Sequence, residues 1–141
     1  ISEEPRYLAR DFIGVLDENL KKGRSVLIYP EQEMWFNYRK PRPPKRGAYL
    51  FAAKLNVPVV SLFVEMIDTK EKDTDEFYKV KYRLHILDTL YPDSQKSTRE
   101  ISAEMAEKDY ALKCAAYERV YGKNLDYSFE KDDIAGWHDE D

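Results

Sequence analysis

Two short apolar runs, separated by a basic, proline-rich loop and a helical segment, constrain the fold most strongly. Residues 24–29 stop at Pro30 and residues 57–64 are rich in valine, so both have the length and β-branching of buried strands. Residues 47–55 are mostly apolar and read as a helix that ends near Asn56. An order of strand, helix and strand is typical of an α/β domain with parallel neighbours.

Further elements are predicted on both sides of this segment. Apolar residues recur every four positions within residues 5–22, where Pro5 suits the first helical position. Residues 77–88 alternate as a strand with one wet face, and residues 65–76 before them read as a charged connection.

A long helix is predicted towards the C-terminus. Ser97 is followed three residues later by Glu100, which is the pattern of a capping box, and Gly122 marks the end of the helix. Together these elements predict an α/β fold: a mixed, mainly parallel sheet with flanking helices.

Composition excludes several classes of protein. The 141 residues are 43% hydrophobic and 35% charged, as in one folded domain, and no apolar run approaches the roughly 20 residues that span a bilayer. Cys114 is the only cysteine, which excludes an internal disulfide and indicates a reducing compartment. Two distant histidines and one cysteine do not make a zinc site, and a net charge of -4 argues against nucleic-acid binding.

Charge is unevenly distributed along the chain. Residues 126–141 hold seven acids and one lysine, so the net charge of -4 leaves residues 1–125 at +2. We place a boundary where this composition changes, with a domain at residues 1–121 and an acidic, disordered tail at residues 122–141.

Five positive charges fall within eight residues of the loop before the second helix: Arg39, Lys40, Arg42, Lys45 and Arg46. Arginine can hold phosphate oxygens in a two-pronged grip, and a helix N-terminus attracts phosphate, with Gly47 clearing space for the backbone. Glu31 follows the first predicted strand, where ligands bind in open α/β sheets. A solvated charge run is the alternative interpretation of these residues.

Three short motifs follow one another in this region: Tyr29-Pro30-Glu31, Lys45-Arg46-Gly47-Ala48 and Val57-Pro58-Val59-Val60. In this order and spacing they resemble the glycerolipid acyltransferases, the 1-acylglycerol-3-phosphate and lysophospholipid acyltransferase family, over residues 8–66. The resemblance implies a glycerol-phosphate acyltransferase-like fold, incomplete in this chain, and it implies that Glu31 helps to bind glycerol phosphate. The five basic residues and Gly47 extend this substrate site by charge and position.

The catalytic box of the resembled family, His-x4-Asp, is absent. His85 is followed by Asp88 after three residues and by Leu90 after five, while His138 lies in the acidic tail. No catalytic residue is therefore assigned. Since the chain begins with Ile1, we expect the front half of the domain, with its histidine base, to lie upstream, and we expect this chain alone to be inactive.

The resemblance implies that the intact protein transfers a fatty acyl chain to a lysophospholipid or glycerol phosphate in phospholipid biosynthesis. The acyl donor, acyl-CoA or acyl carrier protein, is a co-substrate, and no cofactor is implied. The expected location is cytoplasmic and peripheral on the inner face of the membrane, where a lysophospholipid is met. The alternative is a non-catalytic module that binds anionic lipid or another polyanion through residues 39–46, and a weaker one is a partner-binding domain that uses the aromatic loop.

Overall fold

A computed structural model describes residues 7–138. A π-helical turn, Tyr7–Phe12, leads into helix α1, and a short 3-10 turn, Lys131–Asp133, lies near the C-terminus. The main elements are α1 (Ile13–Lys21), α2 (Gly47–Leu55), β1 (Val59–Lys72), β2 (Tyr78–Leu90) and α3 (Thr98–Tyr121). The helix predicted for residues 5–22 is confirmed over its described part, and Pro5 lies outside the described residues.

Strands β1 and β2 form an antiparallel hairpin, so the prediction of a mixed, mainly parallel sheet is wrong. The described residues form a small α+β fold with a sheet of two strands. A tight turn joins the strands, where the N–H groups of Asp73 and Thr74 donate to the carbonyl of Phe77 at 2.9 and 3.0 Å. So short a turn can join only antiparallel neighbours, since a parallel pair needs a crossover of a dozen or more residues.

The strand predicted for residues 24–29 is also wrong. These residues are irregular, and the side chains of Leu27 and Tyr29 are 65% and 71% exposed. An apolar run becomes a strand only beside a free sheet edge. At Met66 the outer edge of β1 is already occupied, because Tyr121 Oη accepts its N–H at 2.9 Å and Arg39 donates to its carbonyl.

The charged connection predicted for residues 65–76 is a turn only at its end, because β1 continues to Lys72. Cross-strand ion pairs allow charged residues to lie within the hairpin. Glu71 pairs with Lys79, and Glu65 lies 3.4 Å from Arg83. The prediction of a connection is therefore wrong for the residues that extend β1.

Helix α3 forms the centre of the packing, between α2 and one face of the hairpin. Its predicted ends are confirmed: Ser97 and Glu100 form the capping box, and Gly122 adopts the left-handed conformation. Two clusters of buried hydrophobic residues form its contacts: Tyr49, Ala52, Ala53, Leu90, Ile101, Met105 and Ala106 near α2, and Phe63, Ala116 and Tyr117 near the hairpin. None of the helices within residues 7–138 is long and apolar enough to cross a membrane.

The described part of the acidic tail, residues 122–138, returns along the hairpin. Ile134 forms a bridge with Tyr38, and Trp137 forms one with Phe77. Gly136 has φ 75° and lies so close to β2 that a Cβ atom there would be 2.6 Å from the carbonyl oxygen of Tyr78. Where the sequence indicates disorder, residues 133–138 thus pack against the rest of the protein, while residues 126–132 are exposed. The division at residue 121 stays a prediction, and residues 139–141 lie outside the described residues.

Candidate functional site

The first two motifs of the resemblance are brought together by one backbone hydrogen bond. The N–H of Lys45 donates to the carbonyl of Pro30 at 2.8 Å, which places the Glu31 turn beside the start of α2. The turn closes where the N–H of Gln32 donates to the carbonyl of Tyr29, and Gln32 has φ 56°. Glu31 and the beginning of α2 therefore form one continuous surface.

The Glu31 carboxylate has one charged neighbour among residues 7–138. Its Oε1 lies 3.7 Å from Lys113 Nζ, and its side chain is 20% exposed. This separation is an ion pair rather than a hydrogen bond, so the carboxylate oxygens keep their capacity to accept hydrogen bonds from a ligand. A carboxylate accepts hydrogen bonds from hydroxyl and N–H donors alike.

Lys113 links Glu31 to a buried polar network centred on Asp109. The Asp109 carboxylate accepts hydrogen bonds from the hydroxyls of Tyr49 and Ser61, and its Oδ2 lies 3.1 Å from Lys113 Nζ. Burial, with the hydrogen bond to Asp109, raises the pKa of Tyr49 far above its usual value, so its hydroxyl stays protonated. We call Glu31, Lys113, Asp109, Tyr49 and Ser61 the Glu31 cluster.

Sequence reasoning identified only Glu31 among the members of the Glu31 cluster. A signal for another member was present, since Asp109 falls four residues after Met105 on the apolar stripe of α3. A carboxylate on a buried stripe needs partners, and Lys113, one turn later, is placed to be one of them. Ser61 and Tyr49 carry no such signal, because their partner is distant in sequence.

Lys45 and Arg46 stand exposed where α2 begins. No side chain caps the first turn of this nine-residue helix, so its N–H groups and its dipole add to the positive charge of the two side chains. Gly47 leaves the approach open, because a Cβ atom there would meet only Gln32 Nε2, at 3.7 Å. This end of the loop has the character of an anion site.

Arg39 and Lys40 are buried, and their charges are paired within the protein. Arg39 pairs with Asp68, and its Nε donates to the carbonyl of Asp132 at 3.0 Å. Lys40 Nζ lies 3.0 Å from the Asp133 carboxylate, and it donates to the carbonyl of Ser128. Burial alone would lower the pKa of Lys40, but its hydrogen bond and ion pair with Asp133 outweigh that effect and raise it.

Arg42 is paired close by in sequence. Its guanidinium forms an ion pair with the Glu33 carboxylate, donates to the Glu33 carbonyl at 2.7 Å and lies 4.6 Å from the centre of the Trp35 ring. Of the seven predicted site residues, the structure thus brings together Glu31, Lys45, Arg46 and Gly47. A binding role for Arg39, Lys40 and Arg42 stays a prediction.

No known protein family, curated protein or solved structure matches this chain. A function must therefore be inferred from its own side chains. Within residues 7–138, no three His, Cys, Asp or Glu side chains are grouped so that they could hold a metal ion. His85 Nε2 lies 2.7 Å from Glu65 Oε2 across the hairpin, and the His138 ring packs on Tyr78. The geometry that remains is a carboxylate beside an exposed, positively charged start of α2.

Proposed function

We propose that this chain supplies the acceptor-binding part of an acyltransferase that acts on a lysophospholipid or glycerol phosphate. The single observation that carries the proposal is the hydrogen bond from the Lys45 N–H to the Pro30 carbonyl. It joins the Glu31 turn to the start of α2, so that a hydroxyl acceptor and a cationic surface lie side by side. The order of motifs along the chain supports the same assignment.

An acceptor of this class has two chemically distinct ends. Its phosphate would lie at the start of α2, held by Lys45, Arg46 and the uncapped N–H groups of the first turn. Its glycerol hydroxyls would donate to the Glu31 carboxylate. Binding both ends fixes the orientation of the acceptor, which is how positioning lowers the barrier of a reaction between two molecules.

The reaction itself needs a base, and the His-x4-Asp box that supplies it in the resembled family is absent from the sequence. A histidine base outside this chain would take the proton of the acceptor hydroxyl, whose oxygen would attack the thioester carbonyl of acyl-CoA or acyl carrier protein. The thiolate would then leave and take up a proton. Neither histidine of the chain is followed by an aspartate at the spacing that the resembled family uses.

The location that suits this substrate is the cytoplasmic face of a membrane. Met34, Trp35 and Phe36 are 99%, 55% and 67% exposed on the loop that follows Glu31. Aromatic and apolar side chains of this kind partition into the headgroup region of a bilayer. They would hold the acceptor site against the surface in which the lysophospholipid lies.

The test is an NMR titration of the labelled 141-residue chain with glycerol 3-phosphate and with lysophosphatidate below its critical micelle concentration. We expect E31Q and R46Q each to weaken binding about tenfold, the effect of losing about 1.4 kcal/mol. The matched control is K54Q, which removes an exposed charge from the other end of α2. It should leave the affinity unchanged.

The alternative function, a polyanion-binding module, gives a different pattern in the same titration. R46Q would weaken every anion equally, E31Q would have no effect, and binding would vanish in about 0.5 M salt because exposed charges are screened. That pattern, or wild-type affinity in E31Q, would refute the acceptor site. Acyl transfer by the chain alone would refute the placement of the base outside it.

A further inference from the structure

Lys113, on α3, forms an ion pair with Glu31 of the proposed acceptor site. Its ammonium lies 3.1 Å from Asp109 Oδ2 and 3.7 Å from Glu31 Oε1, and its side chain is only 13% exposed. A lysine so placed neutralises a buried carboxylate and at the same time attracts a half-buried one. The two ion pairs connect the core of the protein to Glu31.

Asp109 is held rigidly at the inner end of this connection. Its side chain is 3% exposed, and both of its carboxylate oxygens accept hydroxyl hydrogens, from Ser61 on β1 and from Tyr49 on α2. Three elements of the fold therefore determine where Asp109 lies. Because Lys113 is one helical turn away on α3, its ammonium has little freedom of its own.

Glu31, at the outer end, lies on an irregular loop and forms no other ion pair within residues 7–138. Its backbone is held through the hydrogen bonds of Pro30 and Gln32, but these do not determine the direction of its side chain. The attraction of Lys113 is the interaction that does so. Without it, the carboxylate would be free to take other rotamers, and a ligand would have to order it at an entropic cost.

We propose that Lys113 is a positioning residue that orients the Glu31 carboxylate, so that the site prefers a phosphate ester carrying free hydroxyls over phosphate alone. This inference rests on the proposed function and specifies the chemistry of its acceptor. The phosphate end would be read by Lys45 and Arg46, which Lys113 does not contact in the structure. The hydroxyl end would depend on Glu31 and therefore on Lys113.

The experiment compares affinities for glycerol 3-phosphate and for inorganic phosphate in the whole chain. Lys113→Met alone would leave Asp109 buried and unpaired, so the variants used are D109N and D109N/K113M. In both, the amide at position 109 can still bond to the two hydroxyls. D109N is the reference background, and we expect D109N/K113M to bind glycerol 3-phosphate about tenfold more weakly than D109N does, with the same affinity for phosphate as D109N.

The conservative variant K113R serves as the rescue, because it keeps a cation between the two carboxylates. We expect it to keep the preference within about threefold, a difference of less than 1 kcal/mol. If D109N/K113M discriminates as well as D109N does, the positioning role is refuted while the proposed function stands. If the wild-type chain does not bind glycerol 3-phosphate at all, the proposed function itself is refuted.

Discussion

The two ends of the basic stretch 39–46 have the same kind of sequence and opposite structural roles. Arg39 and Lys40 are 7% and 4% exposed and are paired with acids, whereas Lys45 and Arg46 stand in solvent at the start of α2. Charge at the first end therefore contributes to the stability of the fold, while charge at the second end is available to a ligand. A cluster of basic residues in a sequence does not distinguish these roles.

The difference originates in the acidic tail and in β1, which supply the partners of Lys40 and Arg39. The 3-10 turn of the tail places Asp133, which is fully buried, against Lys40. The Asp132 carbonyl accepts a hydrogen bond from Arg39 Nε. The carbonyl of Ser128 accepts a further hydrogen bond from Lys40 Nζ. The tail thus neutralises Lys40 through Asp133, whereas the charge of Arg39 is neutralised by Asp68 of β1.

Removing the buried Asp133 carboxylate should have the largest effect on the free energy of unfolding. Asp133→Ala leaves Lys40 buried without a counter-ion, and such a change costs about 3–5 kcal/mol of unfolding free energy. Urea denaturation of the two proteins, followed by far-UV circular dichroism, measures the loss. The contrasting variant K45Q/R46Q should unfold within about 0.5 kcal/mol of wild type, because exposed charges contribute little.

A double substitution of Lys40 and Asp133 separates the contribution of their ion pair from that of their packing. K40M/D133L replaces both charges with apolar groups of similar size, and such replacements are often neutral or stabilising. We expect it to recover most of the stability that Asp133→Ala loses. A double variant as unstable as the single one would show that the surrounding hydrogen bonds, rather than the unpaired charge, hold this end of the loop.

Alkaline pH should lower the stability that Lys40 gives to wild type. The pKa of Lys40 lies above its usual 10.5 in the folded protein, so the stability it provides is complete below pH 10.5 and is lost as the pH rises through the folded-state pKa. Burial also raises the pKa of the neighbouring Tyr38 and Tyr117, which adds a common loss above pH 10. Urea midpoints should therefore fall more steeply for wild type than for K40M/D133L, and equal slopes would contradict the assignment.

Signals that depend on neighbouring residues predicted local structure well. The capping box at Ser97, the left-handed Asn56 that ends α2 and the glycine that ends α3 all act within about four positions of the backbone they stabilise. These features were readable from the sequence because their partners are adjacent. The beginning of α2 at Gly47 was predicted for the same reason.

Pairings over long distances in sequence could not be predicted in this way. The Arg39 and Lys40 ion pairs span 29 and 93 positions, and that between Glu31 and Lys113 joins a loop to the last helix. The prediction of a parallel sheet failed for a related reason, since whether residues 24–29 form a strand depends on a free sheet edge formed by distant residues. Of the candidate site, the sequence indicated the carboxylate and the exposed cations but not the network that orients them.

Arg42 lies between the two ends and should show an intermediate effect. Arg42→Gln removes the ion pair with Glu33 and the contact with the Trp35 ring, which together are worth about 1 kcal/mol at a partly exposed site. In a Trp137→Phe background, the fluorescence of Trp35 should change with it. Arg42→Lys keeps the charge but not the planar guanidinium group, so an intermediate loss of stability is expected. An unchanged Trp35 fluorescence spectrum in Arg42→Gln would contradict the stacking of Arg42 on Trp35.

Gly47→Ala should have the smallest effect on stability and the opposite sign. The φ of Gly47 is not in the left-handed region, and a Cβ atom would make only an ordinary contact with Gln32, so alanine should stabilise α2 by about 0.5 kcal/mol. If phosphate approaches the backbone at the start of α2, the added methyl group should weaken phosphate binding severalfold in the same protein. A variant that is more stable yet binds phosphate as tightly as wild type would place the anion on the Lys45 and Arg46 side chains alone. Opposite changes in stability and affinity at one residue would show that the open end of the loop is kept free for a ligand.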